Sequence, residues 1–217
     1  MCIRDRVLAD NLNEPTELEL LPNGNILFTQ RRGEIMLYEP DLEATRIVHK
    51  LPVYSKQEDG LMGIALDPNY AQNNWIYLYY SPVGEEAKQH LSRFVYKNGD
   101  LDISSEKVML EVKTQRDECC HTGGSIEFGP DGNLFLSTGD DTNPHNSDGF
   151  SPSDEQEGRS PWDAQKSSAN PNDLRGKVLR ITPKADGTYS IPEGKFIPCR
   201  HRKYSSRNLC NGLSKSL

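Results

Sequence analysis

No stretch of the chain approaches the roughly 18 to 20 consecutive apolar residues that a membrane-spanning helix requires, so no helical membrane span is expected. A secretory leader is missing too, because the basic, then apolar, then small-residue order of a signal peptide does not open the chain. That absence excludes little: Met1 to Arg6 resembles a translated sequencing adapter, and the native N-terminus is expected to lie upstream. Cationic charge is scarce, with 25 Lys and Arg against 32 Asp and Glu. The resulting acidic balance argues against a phosphate-backbone binder, which concentrates cations to displace counterions. Trustworthy cysteine is scarce as well. Of five cysteines, Cys2, Cys199 and Cys210 fall in suspect ends, and the adjacent pair Cys119 and Cys120 is no disulfide framework that could fix the redox compartment.

The one basic cluster, Arg200, His201, Arg202, Lys203 and Arg207, follows Gly194, where apolar alternation stops. Residues 196–202 and 208–212 can be back-translated so that the next frame reads as ordinary β-rich sequence. Residues 195–217 are therefore expected to be a frameshifted tail, the alternative being a native basic one. Between the two ends, 35% hydrophobic and 8% aromatic residues suit a folded domain.

What is present is one unit written three times. Leu18–Thr29, Ile64–Tyr80 and Ile126–Thr138 each read as strand, Pro-Asn or Pro-Asp turn, strand. The prolines Pro22, Pro68 and Pro130 preset the turn, and Gly24 and Gly132 supply positions able to take positive φ. A third strand follows each hairpin, at Glu34–Tyr38, Leu91–Tyr96 and Lys177–Ile181. The turn prolines stand 46 and 62 residues apart, near the roughly 40 to 50 residues of a four-stranded propeller unit once loops are allowed. No long pattern of period 3.6 intervenes. The expectation is an all-β propeller of about three four-stranded antiparallel blades, 14–55, 56–112 and 118–194, within residues 7–194; a β-sandwich is the rival. Three blades do not close a ring, and an open arc exposes inner strands as edges, so the natural protein is expected to be about twice as long.

In a propeller the innermost strand of each blade lines the central channel, so residues just before it stand at one mouth. Those positions read Glu14-Pro15-Thr16, Glu58-Asp59-Gly60-Leu61-Met62-Gly63 and Cys120-His121-Thr122-Gly123-Gly124-Ser125. With Phe128-Gly129-Pro130-Asp131-Gly132, Thr138-Gly139-Asp140 and Leu174 to Arg180, this order resembles the glucose/sorbosone dehydrogenases, which are six-bladed propellers using pyrroloquinoline quinone. The match runs from about Glu14 to Gly194.

The resemblance implies an oxidoreductase that oxidises an aldose or related sugar alcohol group and passes hydride to the quinone. His121 would be the general base and Asp140 the carboxylate that holds its tautomer; the bland reading makes them a turn cap and a strand terminator. Imidazole suits the task because its ordinary pKa near 6.5 lets it accept a proton at neutral pH. Glu58, Asp59, Cys120, Asp141 and Trp162 are expected to face cofactor or substrate, Asp59 being equally able simply to begin its strand. The resemblance further implies calcium, bound by a later part of the propeller outside this chain. It also implies a cytochrome or quinone as electron acceptor and a periplasmic or secreted location. The fragment alone is expected to be inactive.

The chain departs from the family at Cys120, where the soluble glucose dehydrogenases carry Asp, and at Glu58, where they carry Gln; the sugar is therefore not carried over. A Glu58 carboxylate beside His121 is expected to favour the imidazolium. Cys119 and Cys120 form either a vicinal disulfide or free thiols; a zinc site is disfavoured, since zinc ligands space their cysteines and neighbours on an extended chain project oppositely. Residues 140–172 form a long polar insertion, read as a lid over the cofactor or as a surface Ω-loop. Arg175, Lys177 and Arg180 are expected along the outer blade surface. The main alternative function is a non-catalytic propeller binding carbohydrate or protein; a metal-dependent lactone hydrolase ranks below it.

Overall fold

The computed structural model describes residues 5–145 and 147–193. The frameshift reading of 195–217 lies outside the described residues, as does most of the adapter-like start. Each Pro-Asn or Pro-Asp turn closes the hairpin expected of it. In the first, the Leu21 amide donates to the Asn25 carbonyl at 2.9 Å; in the third, the Gly129 amide donates to the Asn133 carbonyl at 2.8 Å. The second has no glycine and turns instead through a single helical turn, α1 (Tyr70–Asn73), ended by Asn74 in the left-handed region.

Among the described residues, twelve strands form three four-stranded antiparallel sheets in simple meander order. Blade one holds β1 (Pro15–Leu20), β2 (Ile26–Gln30), β3 (Glu34–Glu39) and β4 (Ala44–Lys50). Blade two holds β5 (Leu61–Leu66), β6 (Trp75–Tyr80), β7 (Lys88–Lys97) and β8 (Asp100–Lys113). Blade three holds β9 (Gly123–Phe128), β10 (Leu134–Thr138), β11 (Lys177–Pro183) and β12 (Tyr189–Ser190). Among the described residues no helix is long and apolar enough to cross a membrane.

Blades pack face to face, and each interface is its own core. Leu27, Ile35 and Leu37 of blade one meet Leu61, Ile64, Ile76, Leu78 and Phe94 of blade two. Tyr77, Tyr79 and Leu91, from the opposite face of blade two, meet Ile126, Leu134, Leu136 and Ile181 of blade three. Blade two is thus apolar on both faces, which is why Trp75–Tyr80 reads as a continuous apolar run and not an alternating one. Burying each such side chain contributes about 1.5–3 kcal/mol. Exposed apolar side chains include Leu18 and Leu20 of β1 and Val178 of β11 on strands, and Leu42, Val83 and Phe150 on loops. Adjacent blades meet by faces, as the two cores show.

The three inner strands converge on one side chain. Glu17 of β1 accepts from the Ile64 amide of β5 at 2.9 Å and from the Ile126 amide of β9 at 3.3 Å, and the Ser125 hydroxyl donates to its other oxygen at 2.5 Å. The approach is close enough that a Cβ on Gly63 would lie 2.1 Å from the Gly124 carbonyl oxygen. Burial raises the pKa of Glu17, and with the neighbouring carboxylates Glu127 and Glu17 it pushes Glu19 up to about 7. Replacing Glu17 by Ala leaves two partly buried amides without their acceptor and should cost about 1–3 kcal/mol, lowering the midpoint of urea unfolding. Glu17→Gln, which keeps one acceptor oxygen, should lose less. An unchanged midpoint in Glu17→Ala contradicts this reading.

Candidate active site

The segment from Thr114 to Thr122 joins β8 to β9 and carries His121 at its end, immediately before the inner strand. His121 sits in the left-handed region, at φ 58°, and its carbonyl lies against Gly139 so closely that a Cβ there would stand 1.5 Å from it. Only glycine at 139 lets the end of β10 pass this close to the histidine. The same approach brings Asp140, the next residue, beside the imidazole.

His121 Nδ1 lies 3.0 Å from Asp140 Oδ1. The same oxygen accepts from the Thr142 amide at 3.1 Å and the Thr142 hydroxyl at 2.8 Å, fixing the carboxylate's orientation. Ionised Asp140 can only accept, so in the neutral ring the proton belongs on Nδ1. Nε2 then presents a lone pair and bonds no described residue. With the histidine side chain 45% exposed and that of Asp140 22% exposed, the free nitrogen can receive a proton from something bound at the mouth. The structure thus brings together His121 and Asp140, nineteen residues apart in the chain.

Glu58 reaches across from blade two, but its Oε2 accepts from the His121 backbone amide at 2.6 Å. That bond holds the loop, whereas the sequence reading directed the charge at the ring. Asp59 is buried below the mouth: its Oδ1 accepts from the Ser81 hydroxyl at 2.6 Å, and burial raises its pKa. Cys119 and Cys120 form a vicinal disulfide, so their sulfurs meet instead of diverging.

Asp141 is also buried, accepting from the Gln115 amide at 2.7 Å and from Arg175 Nη1 at 3.2 Å. Burial, helped by the nearby Asp59 carboxylate, outweighs these contacts and pushes its pKa up to about 7; Arg175 also donates to Asp173 at 2.7 Å. Arg175 and Lys177 are thus turned inward and not laid along the outer surface: Lys177 Nζ donates to the Ser167, Ser168 and Arg175 carbonyls. A cation amid carbonyls looks, in sequence, the same as one facing water.

The insertion after Asp140 has structure of its own. It contains a 3-10 turn (Ser160–Trp162), the short α2 (Ala164–Ser167) and a buried Asp154 that accepts from Ser147 and Arg159. Arg159 covers one face of Trp162, 4.0 Å from the ring centroid. A cavity of 570 Å³ lies within this insertion, bordered by Glu155, Glu157, Ser160 and Lys166, away from the histidine. Among the described residues no cluster of three His, Cys, Asp or Glu side chains is arranged to hold a metal ion.

Residues 12–195 match the family described as Glucose / Sorbosone dehydrogenase. The chain belongs to that family. It is 30% identical over 139 residues to the aldose sugar dehydrogenase YliI of Escherichia coli, covering 62% of this chain and 37% of that protein. It is 25% identical over 214 residues to the Hedgehog-interacting protein of Mus musculus, covering 88% and 28%. Among solved structures it resembles the PQQ-bound form of the aldose sugar dehydrogenase of Streptomyces coelicolor, at 26% identity and a TM-score of 0.68, covering 89% of this chain and 50% of that one. The chain thus spans half or less of the length of each of these relatives. Gln115, Thr142 and Glu17 were missed in sequence; Glu17 and Glu127 stand out only as carboxylates in otherwise apolar inner strands.

The Asp141 shift has a testable sign. Its folded pKa of about 7 lies above the unfolded value near 3.9, so the folded state resists ionisation that the unfolded state allows. Its unfavourable contribution is absent below about pH 4 and complete above about pH 7. Stability of the wild type relative to Asp141→Asn should therefore fall as pH rises from 4 to 8 in paired urea titrations. A difference that stays flat or rises across that range contradicts the assignment.

Proposed function

We propose that His121 is the general base of a sugar dehydrogenase that uses pyrroloquinoline quinone. The observation that carries this reading is the pairing of Nδ1 with Asp140, which leaves Nε2 free at the mouth. A sugar hydroxyl placed against Nε2 would give up its proton there, while Asp140 stabilises the imidazolium that forms. Thr142 keeps the carboxylate from turning away, and Glu58 keeps the loop in place. When bound, the quinone supplies a two-electron acceptor that no amino-acid side chain offers.

The residues present fit the proton-transfer half of such a site. Arg175 and Lys177 do not offer a cationic clamp for the quinone's carboxylates, being already engaged by Asp141, Asp173 and backbone carbonyls. The clamp and the calcium site are assigned to further blades, as are the electron acceptor's contacts. A periplasmic or secreted location, and a partial propeller at 7–194 flanked by non-native ends, belong to the same reading.

A second reading is favoured by the likeness to a protein whose name states that it interacts with Hedgehog. On that reading the mouth binds carbohydrate or protein without redox chemistry.

The test is dye reduction by the complete protein given quinone, calcium and a panel of aldoses. His121→Gln should lower kcat by about 10²–10⁴, the range for loss of a positioned base, without lowering thermal stability. Wild-type protein that reduces no dye with any sugar supports the binding module, and undiminished turnover in His121→Gln removes the histidine from the mechanism.

A further inference from the structure

The segment before His121 carries no regular secondary structure, yet it must hold a side chain to a fixed place. Its first half is well anchored. The Thr114 amide donates to the Ala87 carbonyl at 3.0 Å. Gln115 and Glu118 close a small ring through two bonds: Gln115 Nε2 donates to the Glu118 carbonyl at 2.9 Å, and the Glu118 amide donates back to Gln115 Oε1 at 2.8 Å. Asn143 donates to the Glu118 carboxylate at 2.7 Å. At the far end, the His121 amide is held by Glu58 at 2.6 Å. Between these anchors stand Cys119 and Cys120, and no hydrogen bond between described residues fixes their backbone. The backbone alone connects the anchored half to His121, and the disulfide between the two adjacent cysteines closes a small ring that restricts rotation of that joint.

We propose that the Cys119–Cys120 disulfide is a reducible clasp that positions His121. Both cysteines are partly exposed, so a small dithiol can reach them. A thiolate of the dithiol attacks one sulfur and forms a mixed disulfide. Its second thiol then closes the reductant's own disulfide and releases the cysteine. Two electrons pass from the dithiol to the protein, the Cys119–Cys120 bond breaks, and each cysteine sulfur takes up a proton. The freed dipeptide regains rotation about its backbone. The His121 amide is then no longer presented to Glu58, nor the ring to Asp140, while the sheets remain packed. Cys119 and Cys120 are in this sense positioning residues, and the redox state of the surroundings would set whether the base is in place. The purpose of the clasp rests on the reading of His121 as a base; its existence does not, and its test needs neither sugar nor quinone.

The experiment is amide hydrogen exchange by NMR on the ¹⁵N-labelled chain, before and after dithiothreitol, with alkylation to count thiols. Before reduction neither Cys119 nor Cys120 should alkylate, and after it both should. Exchange at His121 should accelerate by about tenfold or more on reduction, as expected when an anchoring hydrogen bond is lost. The Ile64 and Ile126 amides, bonded to Glu17, should keep their rates. Cys119→Ser/Cys120→Ser should show the fast His121 rate with or without dithiol. Because the wild-type comparison stands alone, a variant that fails to fold does not blunt the test. An unchanged His121 rate, alkylation of Cys119 or Cys120 in the unreduced protein, or an equal acceleration at Ile64 and Ile126 overturns the clasp. Absence of sugar oxidation together with the expected exchange pattern sinks the proposed activity and leaves the clasp standing.

Discussion

A carboxylate at the centre of the arc, Glu17, accepts from the inner strands of two other blades at once. Strands in separate sheets have no ladder between them, so their ends would otherwise be related only through apolar faces, which are non-directional. Glu17 adds direction: it fixes the height of β5 and β9 relative to β1, and Gly63 and Gly124 let those strands come near enough to share it. Everything at the mouth inherits that register. Glu58 precedes β5 and His121 precedes β9, so the 2.6 Å bond between them spans two blades whose relative height the same carboxylate sets.

Much of the architecture was legible because turns are local. Pro22, Pro68 and Pro130 mark hairpins whose strands are short and apolar, and repetition makes three weak signals into one strong one. The fourth strands were not legible. Ala44–Lys50 and most of Asp100–Lys113 lie on the outer rim with alternating polar residues, and Tyr189–Ser190 pairs over only two positions. Their strand character comes from a neighbour's ladder and not from their own composition.

The site was half legible for a similar reason. His121 and Asp140 are identified by motif and order, and Gly139 explains why the pair meets. Glu58, by contrast, carries its charge to a backbone amide, and Asp59 and Asp141 are buried below the mouth, where they hold loops through Ser81, Gln115 and Arg175. Residues beside a mouth in sequence alternate between facing it and supporting it, and a backbone in the left-handed region, as at His121 and Asp141, breaks the simple alternation that would assign them. Arg175 and Lys177 show the converse: cations that a surface reading sends outward serve as internal partners for carboxylates and carbonyls.

The central claim is that Asp140 holds the proton of neutral His121 on Nδ1 and leaves Nε2 as the acceptor. Long-range ¹H–¹⁵N correlation spectra of the imidazole, recorded where the ring is neutral, report which nitrogen is protonated. The account predicts a protonated Nδ1 and an unprotonated Nε2 in the wild type, with that preference lost in Asp140→Ala. A ring protonated on Nε2 in the wild type, or an unchanged preference in Asp140→Ala, would contradict it.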